Sequence, residues 1–314
     1  EDDGDRQRRI GHRYEKKVRH PTVNWFKENK QKVSFSMNNL YKEAGLSKQA
    51  VAQYQVRQMA FDTKVNQLIL EADDLREDHP GCGVEKMYYT LNPDFIGRDR
   101  FIELMMELGY RLKRKNNYKR TTIASKIYYP NLIKGMEVDR PSMVWQSDIT
   151  YIPIGNRHYY GVFIIDVYTK KIVGYKISDN MRAKANVEAL KMALKDNSPP
   201  LIHHSDRGSQ YTYKEYVALL KGHGSKISMA LSAQDNAYAE RINRTIKEEY
   251  LDYWKPKDIV QLKRMVAKAV QNYNSKRLHN NNDRMSPEKF ITQFSFLRPQ
   301  ERKLMTIFNN ELIN

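Results

Sequence analysis

Three acidic residues lie in sequence contexts from which their carboxylates could bind metal ions together. Asp148 belongs to the β-rich segment WQSDITY, Asp206 ends the short apolar stretch LIHHSD, and Glu240 lies in the helical segment NAYAERINRTIK. Carboxylate oxygens are the ligands that Mg²⁺ prefers, and a cluster of them can hold two divalent ions about 4 Å apart for phosphoryl transfer. If the three side chains meet in space, they predict a site that cuts or joins phosphodiesters.

Each of these acids also has an ordinary structural interpretation. Asp148 could be a charge on an edge strand, and Asp206 a turn residue that accepts backbone hydrogen bonds. Glu240 could be one half of an exposed ion pair with Arg244, four residues later on the same helix. The metal-binding interpretation is favoured because all three acids fall on the elements that would have to carry such a site.

Other acids in this part of the chain are assigned structural roles. Asp166 follows the apolar run VFII and is predicted to begin a turn, and Asp235 is predicted to cap the long helix with its carboxylate. Glu248 and Glu249 come later on that helix and are predicted to face solvent. Trp145 is predicted to belong to the core.

A lysine on the same helix could assist the acids. Lys247 follows Glu240 by seven residues, which is about 700° of helical rotation and places both on one face within roughly 20°. A cation there suits a DNA phosphate or a terminal base, although a solvated lysine is the plain alternative. His203 and His204 precede Asp206 at the end of a strand and are assigned to the core or the surface rather than to a metal site.

The order of the elements that carry the acids indicates a fold. The segments SMVWQSDITYIPI, HYYGVFIIDVYT and KIVGYKIS alternate like strands of an antiparallel meander. A helix, a short strand, a second helix, a short strand and a long helix follow. The order βββαβαβα is that of the ribonuclease-H-like α/β fold, with a five-stranded mixed sheet in which the first strand runs beside the fourth. That neighbourhood would bring Asp148 and Asp206 together.

The amino-terminal part contains two helical units that suit DNA binding. In SMNNLYKEAGLSKQAVAQYQVRQ a Gly45 turn separates two helical stretches and Ser47 is a suitable N-cap, which is typical of a helix-turn-helix. A second, winged-type unit ends in the basic strip RLKRKNNYKR. The residues predicted to contact DNA are Lys48, Gln49, Gln53, Arg57, Arg98, Arg100, Arg111, Lys113 and Arg114. Two small helical scaffolds with solvated charges are the alternative.

Composition restricts the class of protein. The 314 residues carry a formal net charge of +17 and have a pI near 9.6, which indicates a polyanionic partner such as nucleic acid. The single cysteine excludes an internal disulfide and a Cys/His zinc module, so any catalytic metal must have oxygen ligands. No apolar run is long enough to span a membrane, and a cytoplasmic, nucleoid-associated protein is expected.

These patterns divide the chain into predicted segments. They are a basic arm or linker (1–35), a helix-turn-helix (36–60), a second helix-turn-helix or winged-type unit (61–125), a linker (126–139), a catalytic core (140–254) and a basic helical tail (255–314).

In this order, the motifs WQSDITY, HSDRGSQY, DNAYAERINRTIKEEY and NYNSKRLHNNNDRMSPEKF resemble those of bacterial transposases of the insertion-sequence three group. The resemblance covers residues from about 36 to 292. It implies a DDE transposase with an integrase-type catalytic core, whose triad matches Asp148, Asp206 and Glu240, with Lys247 as the helix cation. One departure is that only 33 residues separate Asp206 from Glu240, which is shorter than is usual in the group.

The resemblance also implies an activity and partners. It implies hydrolysis at the ends of an insertion sequence with Mg²⁺, or Mn²⁺ as an alternative, in a two-metal site, followed by transfer of the new 3′-OH ends. Expected partners are double-stranded DNA, with the terminal inverted repeats and the target, and further copies of the chain in a synaptic complex. Two alternatives stay open: a catalytically silent DNA-binding protein derived from a transposase, and a simple nuclease of ribonuclease-H type.

Overall fold

The computed structural model describes residues 36–112 and 129–307. The chain divides into two compact units, one of Glu1–Ala72 with Pro93–Ile96 and one of Asp73–Asn92 with Gly97–Asn314. Each unit is described below within the described ranges. Among the described helices, none combines the length and the apolar character needed to cross a membrane.

The first unit is helical. Helix α1 (Met37–Glu43) is followed by a turn in which Gly45 has φ 62°, and then by helix α2 (Lys48–Asp78), whose last turns belong to the second unit. The N-cap assigned to Ser47 is confirmed, because its hydroxyl accepts a hydrogen bond from Ala50 N at 3.0 Å. A glycine turn separates the two helices as expected, and the assignment of a helix-turn-helix stays a prediction.

The second unit begins with a pair of short helices, α3 (Val84–Leu91) and α4 (Arg98–Glu107). Met87 on α3 and Phe101 and Met105 on α4 have no exposed side-chain surface. The apolar period of each helix therefore points into a shared core, which leaves the charged positions of both helices outside.

A five-stranded sheet forms the centre of the second unit. The strands of this unit are β1 (Glu137–Val138), β2 (Val144–Ile154), β3 (Arg157–Asp166), β4 (Ile172–Ser178), β5 (Ile202–Ser205), β6 (Lys226–Met229) and β7 (Met305–Thr306). The sheet has the order β4-β3-β2-β5-β6, and β1 pairs separately with β7. Strands β2, β3 and β4 are antiparallel, whereas β5 is parallel to both β2 and β6. The first long strand therefore lies centrally, beside the strand that ends at Asp206.

Helices cover both faces of this sheet. They are α5 (Lys184–Asp196), α6 (Lys214–Gly222), α7 (Ala237–Ile246), which continues through a π-helical turn (Lys247–Leu251) into α8 (Asp252–Trp254), then α9 (Ile259–Ser275) and α10 (Pro287–Phe294). Along β3, Phe163 and Ile165 pack towards α7 and α9, whereas Val162 and Ile164 pack towards α5. Alternate residues of a strand point to opposite faces, and both faces of β3 are buried. Such burial explains why this strand has a continuous apolar run.

The predicted fold class is confirmed. The meander, the parallel pairing of the fourth core strand with the first, and the helical amino-terminal part are all present. The domain boundaries stay predictions. The helix Lys48–Asp78 runs without interruption across the predicted boundary after residue 60, and α9 contributes Leu262 and Val266 to the core that includes β3.

Candidate active site

The two aspartates are positioned by neighbouring parallel strands. Ser147 of β2 pairs with Ser205 of β5, and each of these serines directly precedes one of the acids, Asp148 and Asp206. Neighbouring strands lie about 4.8 Å apart, so main-chain pairing alone brings these two residues to the same place. Both side chains are partly exposed, because β5 ends there and the sheet opens to solvent.

Two amide side chains, Gln146 and Asn236, attach the start of α7, the helix that carries Glu240, to the strand that leads to Asp148. The fully buried Gln146 of β2 accepts hydrogen bonds at Oε1 from Tyr238 N (3.2 Å) and Ala239 N (3.3 Å), and its Nε2 donates to Asp235 O at 3.1 Å. Asn236 Nδ2 donates to Ser147 O at 3.1 Å. These bonds satisfy free N–H groups of the first helical turn and attach it to the strand that carries Asp148.

The acids act on one another electrostatically. Burial raises the pKa of Asp148 to about 8, helped by the nearby Asp206 and Glu240 carboxylates and opposed by hydrogen bonds from Ile149 N and Asn243. Burial also acts on the other two acids. Burial raises the pKa of Asp206, and burial together with the Asp206 charge raises that of Glu240 against the influence of Arg244. We call Asp148, Asp206 and Glu240 the acid cluster.

Two further residues of the long helix interact with Asp148, one by a hydrogen bond and one through its charge. Asn243 Nδ2 donates to Asp148 Oδ2 at 2.8 Å. Lys247 is near enough for Asp148 to influence its pKa, although burial is the larger effect and lowers that pKa overall. Lys247 is therefore within electrostatic range of the acid of β2. Sequence reasoning missed Asn243, although its position three residues after Glu240 on one helical face was an available signal.

The chemistry of the acid cluster fits a divalent cation. Mutual repulsion and burial favour protonation of the acids, and a bound cation would reverse this preference by stabilising the ionised carboxylates. Asp206 already uses Oδ1 to accept a hydrogen bond from Gly208 N at 3.0 Å. As placed in residues 36–112 and 129–307, no three Asp, Glu, His or Cys side chains converge closely enough to enclose an ion. The residues that would hold it are Asp148, Asp206 and Glu240.

The layer below the acids is held by buried hydrogen bonds. Ser147 Oγ lies 3.1 Å from Tyr211 OH, His203 Nε2 lies 2.9 Å from Tyr216 OH, and His204 Nδ1 lies 2.8 Å from Ser228 Oγ. Burial lowers the pKa of His203 to about 3 and that of His204 to about 4, so both rings are neutral. The histidines support the strand ends, as their assignment to the core predicts.

Three structural assignments outside the acid cluster have different outcomes. Asp166 begins its turn as predicted, since its carbonyl accepts from Lys170 N at 2.9 Å. Asp235 does not cap α7. Its carboxylate accepts hydrogen bonds from Leu231 N and Ser232 N, both at 2.9 Å, and so closes the short 3₁₀ turn Ala233–Asn236. Trp145 is fully buried, as predicted.

The prediction for Glu249 is wrong, whereas Glu248 is exposed as predicted. The Glu249 side chain is only 21% exposed and accepts hydrogen bonds from the Arg277 guanidinium at 2.6 Å and 2.7 Å. The helix turns this face towards the segment after α9, and not towards solvent, because the π-helical turn changes the direction of its last side chains.

The residues proposed for DNA contact lie away from the acid cluster in the sequence. Their described members are exposed, and this set is Lys48, Gln49, Gln53, Arg57, Arg98, Arg100 and Arg111. Gln49, Gln53 and Arg57 are spaced by four residues and share one face of α2. Lys113 and Arg114 lie outside the described residues. The DNA contacts of all nine residues stay predictions.

Family profiles and relatives agree on one identity. Two profiles described as Integrase core domain match residues 138–233 and 224–287. The 31 kDa protein of insertion element IS600 from Shigella sonnei is 34% identical over 211 residues, which are 65% of this chain and 78% of that protein. The transposase for insertion sequence element IS904 from Lactococcus lactis is 32% identical over 205 residues, or 63% of this chain and 80% of that protein.

Solved structures with a similar shape include viral integrases. The catalytic core domain of HTLV-2 integrase in complex with magnesium matches with a TM-score of 0.42 and 18% identity, over 51% of this chain and 98% of that one. A simian T-cell lymphotropic virus intasome matches with a TM-score of 0.44 and 15% identity, over 70% of this chain and 74% of that one. The strand order, the profiles and the sequence relatives carry the assignment: the chain belongs to the bacterial insertion-sequence transposases that contain an integrase core domain.

Proposed function

We propose that this protein cuts DNA strands at the ends of an insertion sequence and transfers those ends into target DNA. The reaction is DNA transposition by phosphodiester hydrolysis followed by transesterification, and Asp148, Asp206 and Glu240 are its catalytic residues. The observation that carries the proposal is the acid cluster. Asp148 and Asp206 follow directly after the paired residues Ser147 and Ser205 of neighbouring strands, and the charges of Asp206 and Glu240 both raise the pKa of Asp148.

The proposed cofactor is Mg²⁺ or Mn²⁺ in a two-metal site held by the acid cluster. When bound, divalent ions would supply activation of the attacking oxygen and stabilisation of the leaving oxygen. The raised pKa of Asp148 supports this role, because a carboxyl that resists ionisation alone gains the most from a neighbouring cation. Asp148 and Asp206 would be held by the sheet and Glu240 by α7.

The other residues of the site would orient groups around the acids. Asn243 fixes one oxygen of Asp148 through its 2.8 Å hydrogen bond. Lys247 follows Glu240 on the long helix, within electrostatic range of Asp148 on β2, and would bind a DNA phosphate beside the reacting bond. Gln146 would keep Glu240 in register with the strand acids through its bonds to the start of α7.

The amino-terminal helices would recognise the terminal inverted repeats. Exposed positions on α2 would supply Lys48, Gln49, Gln53 and Arg57, and α4 and the following segment would supply Arg98, Arg100, Arg111, Lys113 and Arg114. Amide and guanidinium side chains on a helix suit base edges in the major groove, whereas most of the basic residues would contact phosphates. The high net charge of +17 supports a large electrostatic contribution.

Assembly and location follow from the reaction. Two element ends are joined to one target, so we propose a homo-oligomer in a synaptic complex, in which each copy would supply an active site. The substrate would be chromosomal DNA of a bacterium, which places the protein in the cytoplasm and at the nucleoid.

Strand joining on a duplex that carries the element's terminal repeat tests the proposal. With Mg²⁺, the protein is expected to cut at the repeat and to join the exposed 3′ end to a second duplex. Glu240→Gln is expected to abolish both steps and to keep end binding. Cleavage without joining would support the simple nuclease, and binding without either step would support the catalytically silent DNA-binding protein.

A further inference from the structure

The Glu249 carboxylate joins segments that are far apart in the sequence. Arg277 donates from Nη2 to Oε1 at 2.6 Å and from Nε to Oε2 at 2.7 Å. His79 Nε2 lies 2.7 Å from Oε2, and Lys86 Nζ lies 3.5 Å from Oε1. We call Glu249, His79, Lys86 and Arg277 the Glu249 cluster. It connects the turn before α3, α3 itself and the segment after α9 to the end of the long helix.

The cluster has a defined protonation state. Burial would raise the pKa of Glu249, but the hydrogen bonds from Arg277 and His79 outweigh burial and hold that pKa well below its usual range. Burial lowers the pKa of His79, so its ring is neutral. An ionised carboxylate only accepts hydrogen bonds, and His79 therefore donates from Nε2. The Glu249 carboxylate therefore accepts from each of its polar neighbours.

The main chain of Glu249 also contacts the turn before α3. Its carbonyl accepts a hydrogen bond from Gly81 N at 2.8 Å. A Cβ atom on Gly81 would lie 2.3 Å from Glu249 Cα, so no other residue fits at this position without a shift of the backbone. The His79 ring stacks on Tyr250 with centroids 5.0 Å apart. This close approach occurs at the π-helical turn, a feature that is often found at functional sites.

The turn before α3 is bonded to the segments around the two short helices. Arg76 donates to Pro80 O at 3.3 Å and to Tyr110 O, after α4, at 2.8 Å. The Arg284 guanidinium lies 3.8 Å from the centroid of the Tyr89 ring on α3. Helices α3 and α4 are therefore attached to the rest of the second unit through the Glu249 cluster and its surroundings.

We propose that Glu249 is a positioning residue that fixes the α3–α4 pair to the helix of the acid cluster, so that DNA bound by the pair meets the acids at a defined phosphodiester. This inference rests on the proposed function. Glu249 follows Glu240 by nine residues, or about 14 Å along the helix, and touches neither substrate nor acids. Glu249 would determine which phosphodiester is cut because it holds together the elements that carry the DNA and the acids.

Both ends of the long helix are then fixed. Gln146 and Asn236 attach its start to β2, and Glu249 attaches its end to the turn His79–Gly81 and to Arg277. Release of the second attachment would leave the acids in place and would change their position relative to DNA held by α3 and α4. A purely stabilising ion cluster would lower only the folded fraction and would leave the cutting position unchanged.

The test uses Glu249→Gln in the full chain, with Glu248→Gln as the matched control on the exposed neighbour. The probe is a labelled duplex with the terminal repeat, at saturating protein and with Mg²⁺, at a temperature where circular dichroism shows both variants folded. We expect the affinity of Glu249→Gln for the duplex to be within about twofold of that of the unchanged protein. Its single-turnover cleavage rate should be roughly 10- to 100-fold lower, since a displacement of 1 Å can have this effect. The cuts should also spread to neighbouring phosphodiesters.

The outcomes separate this inference from the proposed function. Cutting by Glu249→Gln at the same bond, with a rate within about twofold of the Glu248→Gln control, would overturn the positioning role and leave the transposase activity standing. A loss of duplex binding in proportion to the loss of rate would also overturn it. Absence of cleavage by the unchanged protein would instead remove the proposed function, and this inference with it.

A second variant decides the matter if Glu249→Gln does not fold. Lys86→Met removes the 3.5 Å ion pair between α3 and Glu249 and keeps the bonds from Arg277 and His79. It should show the same spread of cutting positions with a smaller loss of rate. A Lys86→Met protein that cuts only at the original bond and at the original rate would contradict the proposal.

Discussion

The long helix carries carboxylates in opposite electrostatic surroundings at its two ends. Near its start, Glu240 faces Asp206 and Asp148, and the pKa of Asp148 is raised to about 8 by burial and by these neighbours. In its π-helical turn, Glu249 faces Arg277 and His79, and its pKa is held well below the usual range despite burial. The residue type is the same at both ends, and the partners differ.

The difference separates a structural charge from a functional one. A carboxylate that is matched by buried donors contributes to folding and has no need of a further cation. A set of carboxylates without equivalent compensation destabilises the folded chain until a cation or a proton arrives, which is typical of a catalytic site. Four predictions test this contrast, from the largest expected effect to the smallest.

Asp148→Asn should have the largest effect, on activity. It removes one charged ligand of the acid cluster, and we expect the cleavage rate on the end duplex to fall about a thousandfold, since metal-ion stabilisation of a transition state is worth several kcal/mol. Single-turnover cleavage with Mg²⁺ measures the loss. Asp179→Asn, on an exposed aspartate after β4, is the control and should keep its rate. Equal rates for the two variants would remove Asp148 from the site.

Glu249→Gln should have the largest effect on stability. It leaves the Arg277 guanidinium, whose side chain is 8% exposed, without its charged partner, and breaking a buried pair in this way costs about 3 kcal/mol. Urea unfolding measures the change against Glu248→Gln, for which we expect less than about 0.5 kcal/mol. Asp148→Asn should change stability in the opposite direction, because it removes repulsion within the acid cluster. Destabilisation by Asp148→Asn would contradict the contrast.

Divalent ions should stabilise the protein through the acid cluster alone. Mg²⁺ at ten times its Kd should add about 1.4 kcal/mol to the free energy of unfolding, by linkage of binding to folding. Thermal unfolding with Mg²⁺ and with a chelator measures the shift. Asp148→Asn should lose most of it, whereas Glu249→Gln should keep it. A shift of equal size in all three proteins would place the ion elsewhere.

The pH dependence of the two variants should differ in direction and range. The pKa of Asp148 is raised on folding, so its stabilising proton is lost as pH rises towards about 8, and the gain from Asp148→Asn should grow with pH from 5 to 8, by at most about 1.4 kcal/mol per pH unit. The pKa of Glu249 is lowered, so its contribution is present above the unfolded value near 4.3 and is lost only below it. Urea unfolding in a chelator, repeated at several pH values, should show a flat loss for Glu249→Gln from pH 5 to 8.

The fold could be predicted from the sequence because its signals are local. Strand alternation and apolar runs give β2, β3 and β4, and the proline pair after α5 marks a helix end. The placement of Asp148 and Asp206 on neighbouring strand positions then follows from strand order. The predicted cap at Asp235 was wrong because two local structures compete for the same carboxylate, and the 3₁₀ turn before the helix is the one that forms.

The Glu249 cluster could not be predicted because no local pattern encodes it. Glu249 and His79 are 170 residues apart, and Glu249 and Arg277 are 28 apart. On a helical wheel, Glu249 is one of several acids on a charged helix, and only the tertiary contacts of the turn and the segment after α9 distinguish it from Glu248. Gln146 was missed for the same reason, since its three bonds are to main-chain atoms about 90 residues away.

The attachment of α7 to β2 by Gln146 and Asn236 has a consequence for how such transposases diverge. The register of Glu240 is set by side-chain bonds at the start of the helix, and the 33 residues that separate it from Asp206 need not have a fixed number. Evolution can therefore lengthen or shorten the exposed segment at Leu231 and Ser232, and with it any contacts to a new target, while the chemistry stays the same.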